Sequence, residues 1–194
     1  MAYPSVTKKA PASVGKKSLQ KTVTSASMTG TPIGKKAAGT AQAGAAAHDL
    51  GCAGSFTQIY ALPPMDRIDV IRHGFDPTCV NRMAVEMDMP EYRLWSLLGL
   101  PRSTMNRKVK QQKTLSPEES ERVLGMATII GQVETMVRES GNPEGFDAAK
   151  WVAEWINTPV PALGGRKPAE LLDTVHGQNL VAKVLAMSQT GAYA

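Results

Sequence analysis

From Phe56 onward, apolar residues recur at helical spacing, and the segments they form are separated by residues that start or stop helices. The segment MDRIDVIRHGF predicts a short helix that buries Ile68 and Ile71 and stops at Gly74. In DPTCVNRMAVEMDM, Asp76 is placed as an N-cap and Pro77 as the first helical residue, with Val80, Met83, Ala84 and Met87 on one face. PEYRLWSLLGL predicts a third helix with Leu94, Leu97 and Leu98 inward, and Gly99 is free to take a left-handed turn. A fourth helix follows almost at once, with Pro101 near its start and Met105 and Val109 facing the core. The longest periodic run is SPEESERVLGMATIIGQVETMV. Ser116 and Glu119 have capping-box spacing there, and Val123, Ala127, Ile130, Val133 and Val137 form a stripe that Gly131 weakens slightly.

Beyond the turn cluster SGNPEG, the residues Phe146, Trp151, Val152, Trp155 and Ile156 mark another helix, stopped by Pro159 and Pro161. ALGGRKPAELL reads as a loop leading into a short helix. Thr174 then caps a last helix that buries Leu180, Val181, Val184 and Leu185 and ends by Gly191. No alternating run of strand length occurs, so the expected fold class is all-α. Residues 1–55 are rich in Ala, Gly, Ser, Thr, Pro and Lys and carry few large apolar side chains; a disordered tail is expected, because such a segment buries too little surface to offset its ordering entropy. The remainder divides at the turn cluster into 56–140 and 141–194.

Charge sharpens this division. The 194-residue chain carries a net +5, but residues 1–50 hold seven lysines against Asp49 alone. The rest, with 15 basic and 16 acidic residues, is near neutral. Any basic patch on the folded part is therefore local, and one exists: six Lys or Arg lie between Arg93 and Lys113 with no Asp or Glu among them. The two cysteines, Cys52 and Cys79, have no CxxC spacing, and His48, His73 and His176 are scattered, so reduced thiols and no metal site are expected. There is no secretory signal pattern, and no stretch approaches the roughly 20 apolar residues that cross a bilayer. A cytoplasmic protein is expected.

The stretch GLPRSTMNRKVKQQKTLSPEES poses the central question of whether a basic helix is a solvated face or a reader of DNA. A helix, a short turn containing Gly and a second helix make the spacing of a helix-turn-helix, with Glu91–Leu98 supporting and Pro101 to Lys110 recognising. Leu100, Met105 and Val109 would anchor the second helix. Arg102, Ser103, Thr104, Asn106 and Arg107 lie toward its N-terminal and outward side, where Arg suits guanine, Asn suits adenine and Thr can touch a thymine methyl. Lys108, Lys110 and Lys113 suit phosphates, which fix position and not sequence. Trp95 stands where small residues usually let the two helices approach, so either it points outward or the helices cross further apart.

From about Arg67 to Ala194 the chain resembles the Xre-type antitoxins of RES–Xre toxin–antitoxin modules, the ParS/MbcA-like family. The resemblance is carried in order by GLPRSTMNRK, LSPEESERVLGMA, WINTPVPALGGRKPAELLDT and VHGQNLVAKVLAMSQTGAYA. It implies an Xre-like helix-turn-helix region followed by a small α-helical antitoxin domain. It also implies that the protein blocks the cleft of a RES-domain, NAD-degrading toxin, binds operator DNA as an autorepressor, and forms homodimers and hetero-oligomers with the toxin. Arg102, Ser103, Thr104, Asn106, Arg107 and Lys108 match the family's recognition block. Leu163, Gly164, Gly165 and Arg166 match its loop block, and Gly191 and Tyr193 its toxin-facing end. Lys167 departs from the family's usual capping Thr or Ser, Val175-His176 replaces a commonly acidic pair, and the long N-terminal tail lies outside the pattern.

Read without that resemblance, Gly164-Gly165 is a tight interhelical turn, and Trp151 and Trp155 suit a core or a dimer interface. A C-terminal unit of about 50 residues buries little surface alone. It must dock on the Ser116 helix, on a second copy or on a partner. Apolar and aromatic residues continue to the end of the chain, where Tyr193 suits an insertable plug, a flat ring with one polar tip, or else belongs to a frayed end. GGRKP lacks the phosphate-loop arrangement, and no nucleophile stands near a base at a recognisable spacing, so neither an enzyme nor a cofactor is indicated. The other reading that fits is a stand-alone helix-turn-helix regulator whose C-terminal domain dimerises or binds a different partner.

Overall fold

The structure is a computed structural model, and it describes residues 55–141 and 143–189. Eight α-helices are described: α1 (Phe56–Tyr60), α2 (Pro64–His73), α3 (Pro77–Glu86), α4 (Glu91–Leu97), α5 (Arg102–Gln111), α6 (Pro117–Glu139), α7 (Ala148–Trp155) and α8 (Val175–Gln189). Two 3-10 turns, Pro161–Leu163 and Pro168–Leu171, join α7 to α8, and no strand occurs among the described residues. The expected tail lies outside them as far as residue 54.

The helix starts follow from local chemistry. The Asp76 carboxylate accepts the Thr78 N–H at 2.8 Å, with Pro77 at the first helical position of α3. At α6 the capping box is complete: Ser116 Oγ accepts the Glu119 N–H at 3.3 Å, and Glu119 Oε2 accepts the Ser116 N–H at 2.7 Å. Thr174 Oγ1 accepts the Gly177 N–H at 3.1 Å and so caps α8.

The axis of the fold is α6. Its expected stripe is buried at Val123, Ala127, Ile130 and Val133, but so are Leu124, Met126 and Ile129, because α1, α2, α7 and α8 pack around it. Two glycines make these approaches possible. A Cβ on Gly131 would overlap the Phe56 carbonyl of α1, and one on Gly125 would overlap the Gln178 side chain of α8. Gly131 therefore has a packing function that outweighs its poor helix propensity. One continuous apolar cluster runs from Ile59 to Leu185, and of the three supports open to the small C-terminal segment it docks on α6.

Two buried positions differ from expectation. Ile68 is exposed and Val70 faces the core in its place, and Leu180 is exposed while Val181, Val184 and Leu185 are buried as expected. Helical residues turn by about 100° per step, so Ile68 and Val70, two apart, lie on nearly opposite faces, and Leu180 is turned aside from its neighbour Val181. In α8 the inward position at the level of Gly125 is held by Gln178, whose Nε2 donates to the Arg122 and Leu172 carbonyls, both at 2.9 Å. A polar residue is tolerated there because its amide hydrogens are satisfied. The expectation of a reduced thiol at Cys79 is corrected as well: the side chain is buried and disulfide-bonded, while Cys52 lies outside the described residues.

Candidate functional site

The turn between α4 and α5 is built as the sequence suggested. Gly99 takes φ +61°, its N–H donates to the Ser96 carbonyl at 3.1 Å, and the Leu100 N–H reaches back to the Trp95 carbonyl at 2.7 Å. This Schellman arrangement satisfies the last carbonyls of α4 and aims the chain directly into α5. Leu100 and Met105 are buried and Val109 half-buried, so α5 is anchored along one side.

Trp95 points inward. Its ring is buried, and Nε1 donates to Asn81 Oδ1 of α3 at 3.1 Å, which joins the supporting helix to the helix before it. The outward alternative for this residue is thereby removed.

On the opposite side of α5, Arg102, Ser103, Asn106, Arg107 and Lys110 are exposed, as is Lys113 just beyond the helix, and Thr104 is half-buried. Lys108 stands apart. Its ammonium donates to Glu119 Oε2 at 2.6 Å and to the Thr114 carbonyl at 3.1 Å, so it braces α5 against the start of α6. Burial opposes ionisation of Glu119, but the hydrogen bonds from Lys108 and the Ser116 backbone, with the Lys108 charge, outweigh it and hold the carboxyl below its ordinary value. The carbonyl six residues on and the carboxylate eleven residues on both lie beyond the end of α5, so no periodicity within one helix announces the pairing.

Two contacts at this site lack any sequence signal. The Arg102 guanidinium lies over the Tyr92 ring, 5.9 Å from its centroid. Arg93 Nη2 donates to Asn157 Oδ1 at 3.0 Å, tying α4 to the segment after α7.

The second group of expected residues forms a closed loop. The Val160 N–H donates to the Arg166 carbonyl and the Gly165 N–H to the Val160 carbonyl, both at 3.1 Å. Gly164 and Gly165 have φ +67° and +79°, and no atom lies within 4 Å of a Cβ built on either one. These glycines are thus demanded by backbone conformation and not by crowding. Leu163 is buried and pins the loop from beneath; Gly164, Gly165 and Arg166 are exposed above it. Arg166 Nε donates to Glu170 Oε2 at 3.1 Å, and that bond, with the Lys167 backbone N–H, lowers the Glu170 carboxyl from its ordinary value. Lys167 supplies no side-chain cap to the following turn. Gly191 and Tyr193 lie outside the described residues.

Phe146, Trp151 and Trp155 make an aromatic ladder at α7, with Trp151 stacked on Trp155 at 5.8 Å and 11°. Trp151 and Phe146 are exposed, so of the apolar set read for this helix only Val152 and Ile156 are fully in the core. Among the described residues no group of three or more His, Cys, Asp or Glu side chains is placed to hold a metal ion, and no helix is long and apolar enough to cross a membrane.

Comparison with known proteins bears on both regions. Residues 66–127 match the family described as the antitoxin Xre-like helix-turn-helix domain, and residues 144–191 match the antitoxin Xre/MbcA/ParS C-terminal toxin-binding domain. A protein of Sphingobium sp. (strain YBL2) named Prs ADP-ribosylating antitoxin is 41% identical over 140 residues, which cover 72% of this chain and 88% of that protein. Antitoxin Xre of Yersinia enterocolitica serotype O:8 / biotype 1B is 24% identical over 126 residues, covering 65% of this chain and 80% of the relative.

Proposed function

The chain belongs to the Xre/MbcA/ParS family of antitoxins, and from that premise we propose that it neutralises a RES-domain toxin by covering its substrate cleft and represses its own operon through α5. The observation that carries this reading is the pairing of an exposed cationic helix with an exposed double-glycine loop on one shared core. Residues 56–140 supply the DNA-reading part and 141–194 the toxin-binding part. The contact set for DNA is Arg102, Ser103, Thr104, Asn106, Arg107, Lys110 and Lys113; Lys108 is left out because Glu119 holds its charge. Arg102, Asn106 and Thr104 read bases, and Lys110 and Lys113 bind phosphates. Toward the toxin, Gly164, Gly165 and Arg166 form the contact loop, Leu163 its support, and Gly191 and Tyr193 enter the cleft.

The toxin consumes NAD. The Sphingobium relative is named for ADP-ribosylation, and ADP-ribosyl transfer from NAD breaks its nicotinamide–ribose bond and so consumes NAD. The antitoxin itself catalyses nothing. It acts in the cytoplasm, as a homodimer on DNA and as a hetero-oligomer with its toxin.

Co-expression with a RES-domain toxin tests this reading. The full chain restores growth and stops NAD consumption by the purified toxin. A chain lacking residues 190–194 does neither, yet binds operator DNA equally well. Failure of the full chain to protect overturns the antitoxin reading in favour of a stand-alone regulator, and equal protection by the truncated chain overturns the plug.

A further inference from the structure

Tyr92 is a large aromatic side chain that the fold does not use. It sits in the first turn of α4, is 58% exposed, and lies outside the apolar cluster that buries its neighbours Leu94 and Trp95. Its ring instead lies under the Arg102 guanidinium, at the opening of α5. The supporting and recognition helices thus meet twice. The first meeting is the apolar one beneath, through Leu98, Leu100 and Met105. The second is this exposed aromatic–cation pair at the surface.

We propose that Tyr92 is a positioning residue for sequence reading: its ring is a shelf that holds Arg102 ready for a base edge before DNA arrives. This rests on the reading of α5 as a DNA-recognition helix. The physical argument has two parts. Attraction to a ring face engages the flat side of the guanidinium and leaves its N–H edge free, and that edge makes the forked contact to guanine. An Arg side chain already restrained also loses less rotamer freedom on binding, so more of the contact energy remains as affinity for the correct sequence. Nearby cations do not compete for the shelf in the described structure, since the Arg93 guanidinium is bonded to Asn157 and the Lys108 ammonium to Glu119. Because the shelf acts only through Arg102, it raises affinity for the sequence Arg102 reads and leaves non-specific binding to phosphates untouched.

The test uses the full chain and two duplexes of equal length, one from the DNA upstream of its own gene and one of scrambled sequence. Tyr92→Phe keeps the ring and binds both duplexes as the unsubstituted chain does. Tyr92→Leu keeps the bulk but not the ring face; it loses about three- to tenfold on the upstream duplex and nothing on the scrambled one. Arg102→Ala loses more, and Tyr92→Leu added to it costs nothing further, because the shelf has nothing left to hold. Fully additive losses, or an equal loss on both duplexes, overturn the proposal. A loss with Tyr92→Phe as large as with Tyr92→Leu overturns it in favour of a direct contact by the hydroxyl. In the free protein, NMR shows the Arg102 Hδ signals shifted upfield by the ring, and the shift disappears in Tyr92→Leu. Absence of that shift overturns the shelf irrespective of DNA. If the shift is present but the unsubstituted chain does not distinguish the two duplexes, the DNA-reading assignment of α5 has failed, and the reading role of Tyr92 falls with it.

Discussion

Lys108 Nζ lies 2.6 Å from Glu119 Oε2, with both side chains mostly buried, and the same carboxylate oxygen accepts the Ser116 N–H at 2.7 Å. One carboxylate therefore completes the capping box of α6 and neutralises the one lysine of α5 that is turned inward. The most basic helix in the fold is held in place by an acid that belongs to the next one.

This bond gives a pH prediction. The Glu119 carboxyl is held below its ordinary value, so the stability it contributes is complete above the unfolded carboxyl value of about 4.3 and is lost as pH falls through the lower folded value. Glu119→Gln should lower unfolding free energy at pH 7 by about 1–3 kcal/mol, because the Lys108 ammonium is left without its countercharge. The variant should also show a flatter acid limb in thermal melts from pH 6 to 3. An unchanged acid limb would show that the pair contributes nothing.

Lys108 and its neighbours should separate cleanly. Lys108→Met should reduce thermal stability while changing the salt dependence of DNA binding little, since its charge is already committed. Arg102→Ala with Arg107→Ala should leave the melting temperature unchanged, as both side chains are exposed, and weaken operator binding by at least about tenfold. Toxin neutralisation by that double variant should be unaffected. Gel-shift titrations beside circular-dichroism melts decide the matter.

Helix propensity and packing make opposite predictions at the α6 glycines. Propensity alone favours Ala over Gly by about 1 kcal/mol in a helix. At Gly131, however, the added methyl meets backbone of α1, which cannot swing away, so Gly131→Ala should destabilise by about 1–3 kcal/mol net. Gly125→Ala should cost less, because it meets the end of the Gln178 side chain, and Gln178→Ala should partly rescue it. Denaturant titrations should give that order.

The loop glycines should respond to backbone preference and not to size. Gly164 is left-handed with φ 67° and ψ 30°, a conformation Asn visits at modest cost and β-branched residues resist. Gly164→Asn should retain toxin binding, and Gly164→Val should weaken it markedly with a comparatively small loss of global stability. Calorimetric titration against the toxin, paired with melting curves, measures both.

The helices and their order could be read from the chain because their determinants are local. Asp76, Ser116 and Thr174 cap through their own following N–H groups, Gly99 stops α4 by its own conformation, and apolar spacing marks most inward faces. The exposed residues of α5 other than Lys108 were legible from helical spacing, and the turn at Gly164 from its two adjacent glycines. What the chain could not announce is which of two adjacent apolar residues faces in, as at Leu180 and Val181, or which charged residue meets a partner far along the chain. The commitment of Lys108 to Glu119, the shelf of Tyr92 beneath Arg102, and the notches that Gly125 and Gly131 open for α8 and α1 depend on how separate helices cross. Local propensity settles where a helix begins and ends. Only close packing of one helix on another settles which side chains remain free to act.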